Sequence, residues 1–152
     1  MNGVELFLLG RILMKIGEEA MPEPEGGNGR HPGTVRSVLI AMSDIAAHPD
    51  SAIGEIAART GLPQSQVSTA VARLKETGAI TTAPDPADRR RLLVRQSPAP
   101  SDRVTQVRTT TIDDALTKAL GADDPQRIQE VTDALAVLAR HLTPQALANL
   151  RP

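Results

Sequence analysis

The sequence predicts a mainly α-helical protein with one small β-hairpin, and three observations carry that prediction. Apolar residues recur at steps of three and four through most of the chain, the repeat of a helix face. The periodicity changes after Gly78, where two short β-like runs flank a proline-containing turn, Pro84 to Asp88. Phe7 is the only aromatic residue among 152, with neither Trp nor Tyr. A core of Leu, Ile, Val, Met and Ala packs helices closely but buries too little area per residue to favour a large β-sandwich.

The elements follow in order. Val4 to about Glu19 reads as a helix whose apolar arc (Leu6, Leu8, Leu9, Ile12, Leu13, Ile16) is wider than a surface helix of a small domain needs. That width predicts burial on two sides. Pro22 to Gly33, rich in proline and glycine, cannot continue a helix and reads as a long surface loop. Thr34 is the expected cap of the next helix, which carries Val35, Val38, Leu39 and Met42 and ends at His48-Pro49-Asp50. Ala52 and Ile53 suit a brief strand. A short helix then runs from Gly54 to Thr60, stopped by Gly61, and another from Pro63 to Thr77, stopped by Gly78. Strands are expected at 79–83 and 92–95. Beyond Pro98 and Pro100, Ser101 is placed to cap one helix reaching Leu120, and Asp123 with Pro125 opens the last long helix. In that helix Ile128, Val131, Leu135, Leu138 and Leu142 form a seam for helix-on-helix packing, before a last short turn from Pro144 to Leu150.

Composition narrows the function. Cysteine is absent, which excludes disulfides, thiol catalysis and cysteine-ligated zinc. No apolar run approaches a membrane span, and the amino terminus has no signal-like core, so a cytoplasmic protein with no membrane partner is expected. Net charge is only −1, but it is segregated: residues 1–58 sum to −4, residues 59–95 to +4 and residues 96–152 to −1. A binding face needs only local positive potential.

The +4 block contains the most informative pattern. In IGEIAARTGLPQSQVSTAVARLKETGAI, Ile53 to Ile80, two short helices meet at Gly61 and share an apolar side formed by Ile56, Leu62, Val67, Val71 and Leu74. That is a helix-turn-helix, whose second helix lays its outer face in the DNA major groove. The outer face carries Gln64, Ser65, Gln66, Ser68, Thr69 and Arg73, residues suited to base edges and phosphates, and no acid intervenes before Glu76. Taken alone, the same face could be an ordinary solvated one. Asp88, Arg89, Arg90 and Arg91 follow at the hairpin turn. Adjacent arginines on a projecting turn suit a wing on the minor groove or on phosphates, with Asp88 orienting one guanidinium.

With these residues in view, the chain resembles the MarR family of winged-helix transcriptional regulators, best from Val35 to Ser97. Asp85 to Arg91 (DPADRRR) is similar to the family's wing motif, and the resemblance makes Arg89 or Arg90 the wing residue that reaches DNA. It implies a winged helix-turn-helix flanked by N- and C-terminal dimerisation helices: one domain over 1–152, a DNA-binding core at 35–97, and dimerisation helices at 4–20 and 101–150. Its implied function is that of a homodimer bound to a pseudo-palindromic double-stranded operator, usually a repressor, released in many members by a small aromatic ligand. The dimer interface is expected at Leu6, Leu9, Ile12, Leu13, Ile16, Ile128, Val131, Leu135, Leu138 and Leu142. Pro63 stands where the family commonly has Ser or Thr, a change compatible with a first helical turn.

Catalysis and metal binding find no support in the sequence. His31, His48 and His141 have no further ligand at metal-motif spacing, GGNG at Gly26 to Gly29 lacks the lysine of a phosphate loop, and no serine stands in a nucleophile elbow. Neither an enzyme nor a cofactor or metal is expected. The rival is a winged-helix scaffold for protein contacts alone, against which the arginine-bearing wing argues.

Overall fold

The structure, a computed structural model, describes residues 1–22, 32–121 and 123–150. The chain divides into two compact units, Pro24–Arg108 and the two ends Met1–Glu23 with Thr109–Pro152.

After an amino-terminal helix α1 (Gly3–Ala20), which belongs to the second unit, the first unit runs α2 (Pro32–Ala47), β1 (Ser51–Ala52), α3 (Ile53–Thr60), α4 (Gln64–Glu76), β2 (Ile80–Pro84), β3 (Leu92–Gln96) and α5 (Asp102–Thr109). The strands form one antiparallel sheet in the order β1-β3-β2, with Ser51 opposite Val94 and Thr82 opposite the same valine on the other side. Gly61 takes a left-handed φ of 72° and its N–H bonds Ala57 O, closing α3 so that the chain can turn into α4. Gly78, at φ 77°, does the same between α4 and β2. The core is wholly aliphatic: Ile45 of α2, Ile56 of α3, Val67 and Leu74 of α4, Val94 of β3 and Val104 of α5 meet in one buried cluster.

The second unit holds α1 (Gly3–Ala20), α6 (Asp113–Leu120), α7 (Pro125–His141) and α8 (Pro144–Asn149). Asn2 starts α1 with a capping box: its Oδ1 accepts from Glu5 N–H, and Glu5 Oε2 accepts from Asn2 N–H. α6 packs against both α1 and α7. Ala115 and Leu116 of α6 are its buried residues, whereas α1 and α7 bury none. Phe7 is 69% exposed and Leu142 66%.

Four sequence expectations are corrected. Helix α2 begins at Pro32, so Thr34 lies inside it and does not cap it; proline fits a first helical turn because its missing N–H would have no partner there. The loop expected from Pro22 to Gly33 thus loses its last two residues to α2, and residues 23–31, with His31, lie outside the described residues. The single helix expected from Ser101 to Leu120 is two, interrupted at 110–112. Three consecutive threonines at 109–111, β-branched and able to bond nearby backbone, weaken the helix there, and Asp113 and Asp114 favour a new amino terminus. As a result Val104 packs in the winged unit, while Leu116 belongs to the terminal-helix unit. Finally, Asp124 rather than Asp123 caps α7, accepting from Gln126 and Arg127 N–H ahead of Pro125.

Candidate nucleic-acid interface

α4 turns Val67, Ala70, Val71 and Leu74 inward, leaving Gln64, Ser65, Gln66, Ser68, Thr69 and Arg73 exposed. The polar face read from the sequence is therefore a solvent face. Pro63 sits at the N-cap position and supplies no side-chain cap, so the Gln64 and Ser65 amides are left uncapped at the positive end of the helix dipole, while Gln66 N–H bonds Pro63 O. Ser68 and Thr69 hydroxyls donate back to Gln64 O and Ser65 O at 3.0 Å each, so outward they offer lone pairs. Gln66 Oε1 accepts from the hydroxyl of Ser37 in α2 at 3.0 Å.

The wing turn between β2 and β3 is shaped by its two aspartates. Asp85 Oδ1 accepts from Ala87 N–H and Asp88 Oδ1 from Arg90 N–H, two local side-chain turns that replace ladder bonds. Asp88, expected to orient a guanidinium, orients backbone instead. Arg89 and Arg90 are exposed and make no ion pair among the described residues. Arg91 differs: its guanidinium lies 3.2 Å from Glu55 of α3 and 4.0 Å from Asp85, tying the wing back to α3. Glu55 also accepts from Ala52 N–H at the start of α3. That backbone bond, with Arg91 adding to it, holds its carboxyl below the ordinary carboxylate range.

The +4 block is thus less free than its sum suggests. Arg59 makes a two-toothed bond to Asp44 of α2 (Nε–Oδ1 3.0 Å, Nη2–Oδ2 2.7 Å) and reaches Ser51 Oγ at 2.7 Å. Asp44 raises the Arg59 pKa further, so this charge is permanent and internal. Arg95 bonds Asp50, the residue with a left-handed φ of 63° that ends the α2–β1 turn. These two pairs, with Arg91–Glu55, brace α2, α3 and the sheet. Sequence reading missed them because each arginine's acid lies before residue 59, inside the negative block. The basic residues of the block without an ion pair among the described residues are Arg73, Lys75, Arg89 and Arg90.

On α1 the half-buried residues Leu9, Leu13 and Ile16 form one stripe, while Leu6 and Ile12 are exposed. On α7 the seam divides likewise: Ile128, Val131 and Leu135 are half-buried, Leu138 and Leu142 exposed. Phe7, Val4 and Met14, absent from the expected interface, are also exposed, and the saturation of this helix with apolar residues was the available signal. Among the described residues no helix is long and apolar enough to cross a membrane, and no group of three or more His, Asp or Glu could hold a metal.

Two helices crossing at a glycine turn, followed directly by a braced antiparallel hairpin, define a winged helix-turn-helix. Residues 36–91 match the model of the MarR family. Over that segment, somewhat more than a third of the chain, the sequence is similar to the MarR family. No curated protein matches the sequence. Among solved structures, the fold is similar to that of FabT of Streptococcus pneumoniae, in complex with DNA, at 15% identity and TM-score 0.54, over 97% of this chain and 95% of that one. YusO of Bacillus subtilis is 16% identical with TM-score 0.53, over 92% and 99%. A MarR-family transcriptional regulator from Rhodococcus sp. RHA1 is 20% identical with TM-score 0.50, over 90% and 91%. At these identities the likeness is one of fold.

Proposed function

We propose that the protein is a dimeric, sequence-specific double-stranded DNA-binding transcriptional regulator, a binding protein without catalysis of its own, acting in the cytoplasm. The observation that carries this reading is an outer α4 face that is exposed, without a side-chain cap and free of acids from Gln64 to Arg73, together with Arg73, Arg89 and Arg90, which no carboxylate among the described residues holds. Unpaired guanidiniums and open helix amides suit phosphate, and glutamines in the first turn of a recognition helix suit base edges. FabT, of similar fold, is solved on DNA. Gln64, Ser65, Gln66, Ser68, Thr69 and Arg73 serve as groove residues in this reading, Arg89 and Arg90 as wing contacts, and Arg91 as a strut.

The terminal helices make the homodimer in this reading, because Leu6, Phe7, Ile12, Leu138 and Leu142 of their apolar faces remain exposed. The family resemblance extends the reading to repression at a pseudo-palindromic operator and release by a small aromatic ligand. Thermal shift and DNA release with a panel of aromatic acids test that extension; an unmoved panel counts against it.

The test of the core reading is affinity for DNA fragments that include the protein's own promoter, at two salt concentrations. Saturable, sequence-selective binding that weakens with salt is expected. Absence of binding at low salt contradicts the reading.

A further inference from the structure

Gln66 differs from its neighbours on the outer face of α4. Ser68 and Thr69 are tied only to carbonyls of their own helix, which fixes nothing relative to the rest of the fold. Gln66 is tied to another helix. The Ser37 hydroxyl, on α2 and only 7% exposed, donates to Gln66 Oε1 at 3.0 Å across 29 residues of sequence. Ser37 is too deep to meet a ligand itself, while Gln66 is exposed.

An exposed glutamine normally samples many rotamers and must lose that freedom when it reads a base. With Oε1 turned to Ser37, the amide plane is set before any ligand arrives. With Oε1 engaged, the amide's remaining group is the NH2, which carries two N–H donors. In the major groove the acceptors that such donors meet are guanine N7 and O6, adenine N7 and thymine O4. Cytosine presents a donor there and offers no partner.

We propose that Ser37 is a specificity-setting positioning residue: it holds the Gln66 amide as a hydrogen-bond donor toward an acceptor-bearing base edge in each half-site. The inference rests on the DNA-binding reading above and deepens it by naming what one residue reads and what aims it. Ser37 touches no base. Its effect on base choice passes through Gln66, so the two residues act as a unit at one base position.

The test is selection of bound sequences from a random duplex pool by wild type, Gln66→Ala, Ser37→Ala and the double variant. For the base position that Gln66→Ala relaxes, the affinity ratio of preferred to disfavoured base is then measured. Alanine is the better helix former at position 37, and an affinity ratio is insensitive to the fraction of folded protein. In wild type the preferred base presents an acceptor, and discrimination is about fivefold or more. Ser37→Ala is expected to lose most of that ratio at the same position and no other, with affinity for unrelated DNA and the salt slope unchanged. The double variant is expected to be no more relaxed than Gln66→Ala alone. Full discrimination in Ser37→Ala, or relaxation spread over many positions, overturns the proposal while leaving DNA binding intact. So does a Gln66→Ala variant that relaxes no position. A wild-type protein that enriches no sequence overturns the DNA-binding reading itself, and this inference with it.

Discussion

The two units solve the same packing problem with opposite completeness. In the winged unit, residues from three helices, two strands and α5 close over one another, and Ile45, Ile56, Val67 and Val94 are wholly buried. In the terminal-helix unit, α1 and α7 bury no residue, while Leu6, Phe7, Ile12 and Leu142 stand more than half exposed. One unit is a finished domain; the other carries apolar surface that water disfavours and that calls for a partner. The contrast teaches that exposure alone does not identify function. Polar exposure on α4 suits DNA, and apolar exposure on α1 suits a second copy of the chain.

Damage to each unit in turn separates the two packing states. Ile56→Ala empties a closed core and should cost about 2–5 kcal/mol of folding stability, seen as a lowered melting temperature. A loss under about 1 kcal/mol would mean that the winged unit is less self-sufficient than its burial implies. Ile12→Asp, on an exposed apolar face, should weaken self-association by roughly a hundredfold while leaving helix content unchanged. Sedimentation reads this directly, and an unaltered dimer removes α1 from the interface.

The next effect sharpens the wing. Arg90→Ala, losing an unpaired guanidinium, should weaken DNA binding about fivefold on all sequences and lower the salt slope by about one. Arg91→Ala should change affinity less than about twofold, since an exposed pair with Glu55 is worth little and Arg91 is already engaged. Equal losses from both would end the division between contact and strut.

The smallest effect concerns acid. Glu55 has a lowered pKa in the folded protein, chiefly through Ala52 N–H, so its contribution is present above its ordinary value of 4.5 and fades as pH falls through the lowered one. The stability difference between wild type and Glu55→Gln should therefore shrink on acidification. A difference that grew would assign the Glu55 contribution the wrong sign.

How much of this was legible in the sequence depends on the range of each interaction. The helix-turn-helix and wing were readable because their signals are local: Gly61 and Gly78 at the turns, the Val67–Val71–Leu74 stripe, and the proline-bearing hairpin. The boundaries of α3, α4, β2 and β3 agree with the reading to within one residue. The break at 110–112 was hidden because apolar residues at 104 and 107 and at 112 and 116 each keep a helical step, and only the step of five between 107 and 112 departs from it. The fate of the arginines was hidden for a different reason. Arg59 finds Asp44 fifteen residues away and Arg95 finds Asp50 forty-five away, distances over which sequence pattern carries no signal. A charge sum therefore counted as available three cations that the fold had already spent.

In the proposed dimer, two winged units joined through their terminal helices read a duplex together. Selection of bound duplexes from a random pool by the full chain tests it most directly. The expected product is an inverted repeat whose half-sites lie one helical turn apart, ~34 Å centre to centre. An enriched single half-site without its inverted mate, or no enrichment at low salt, would contradict it.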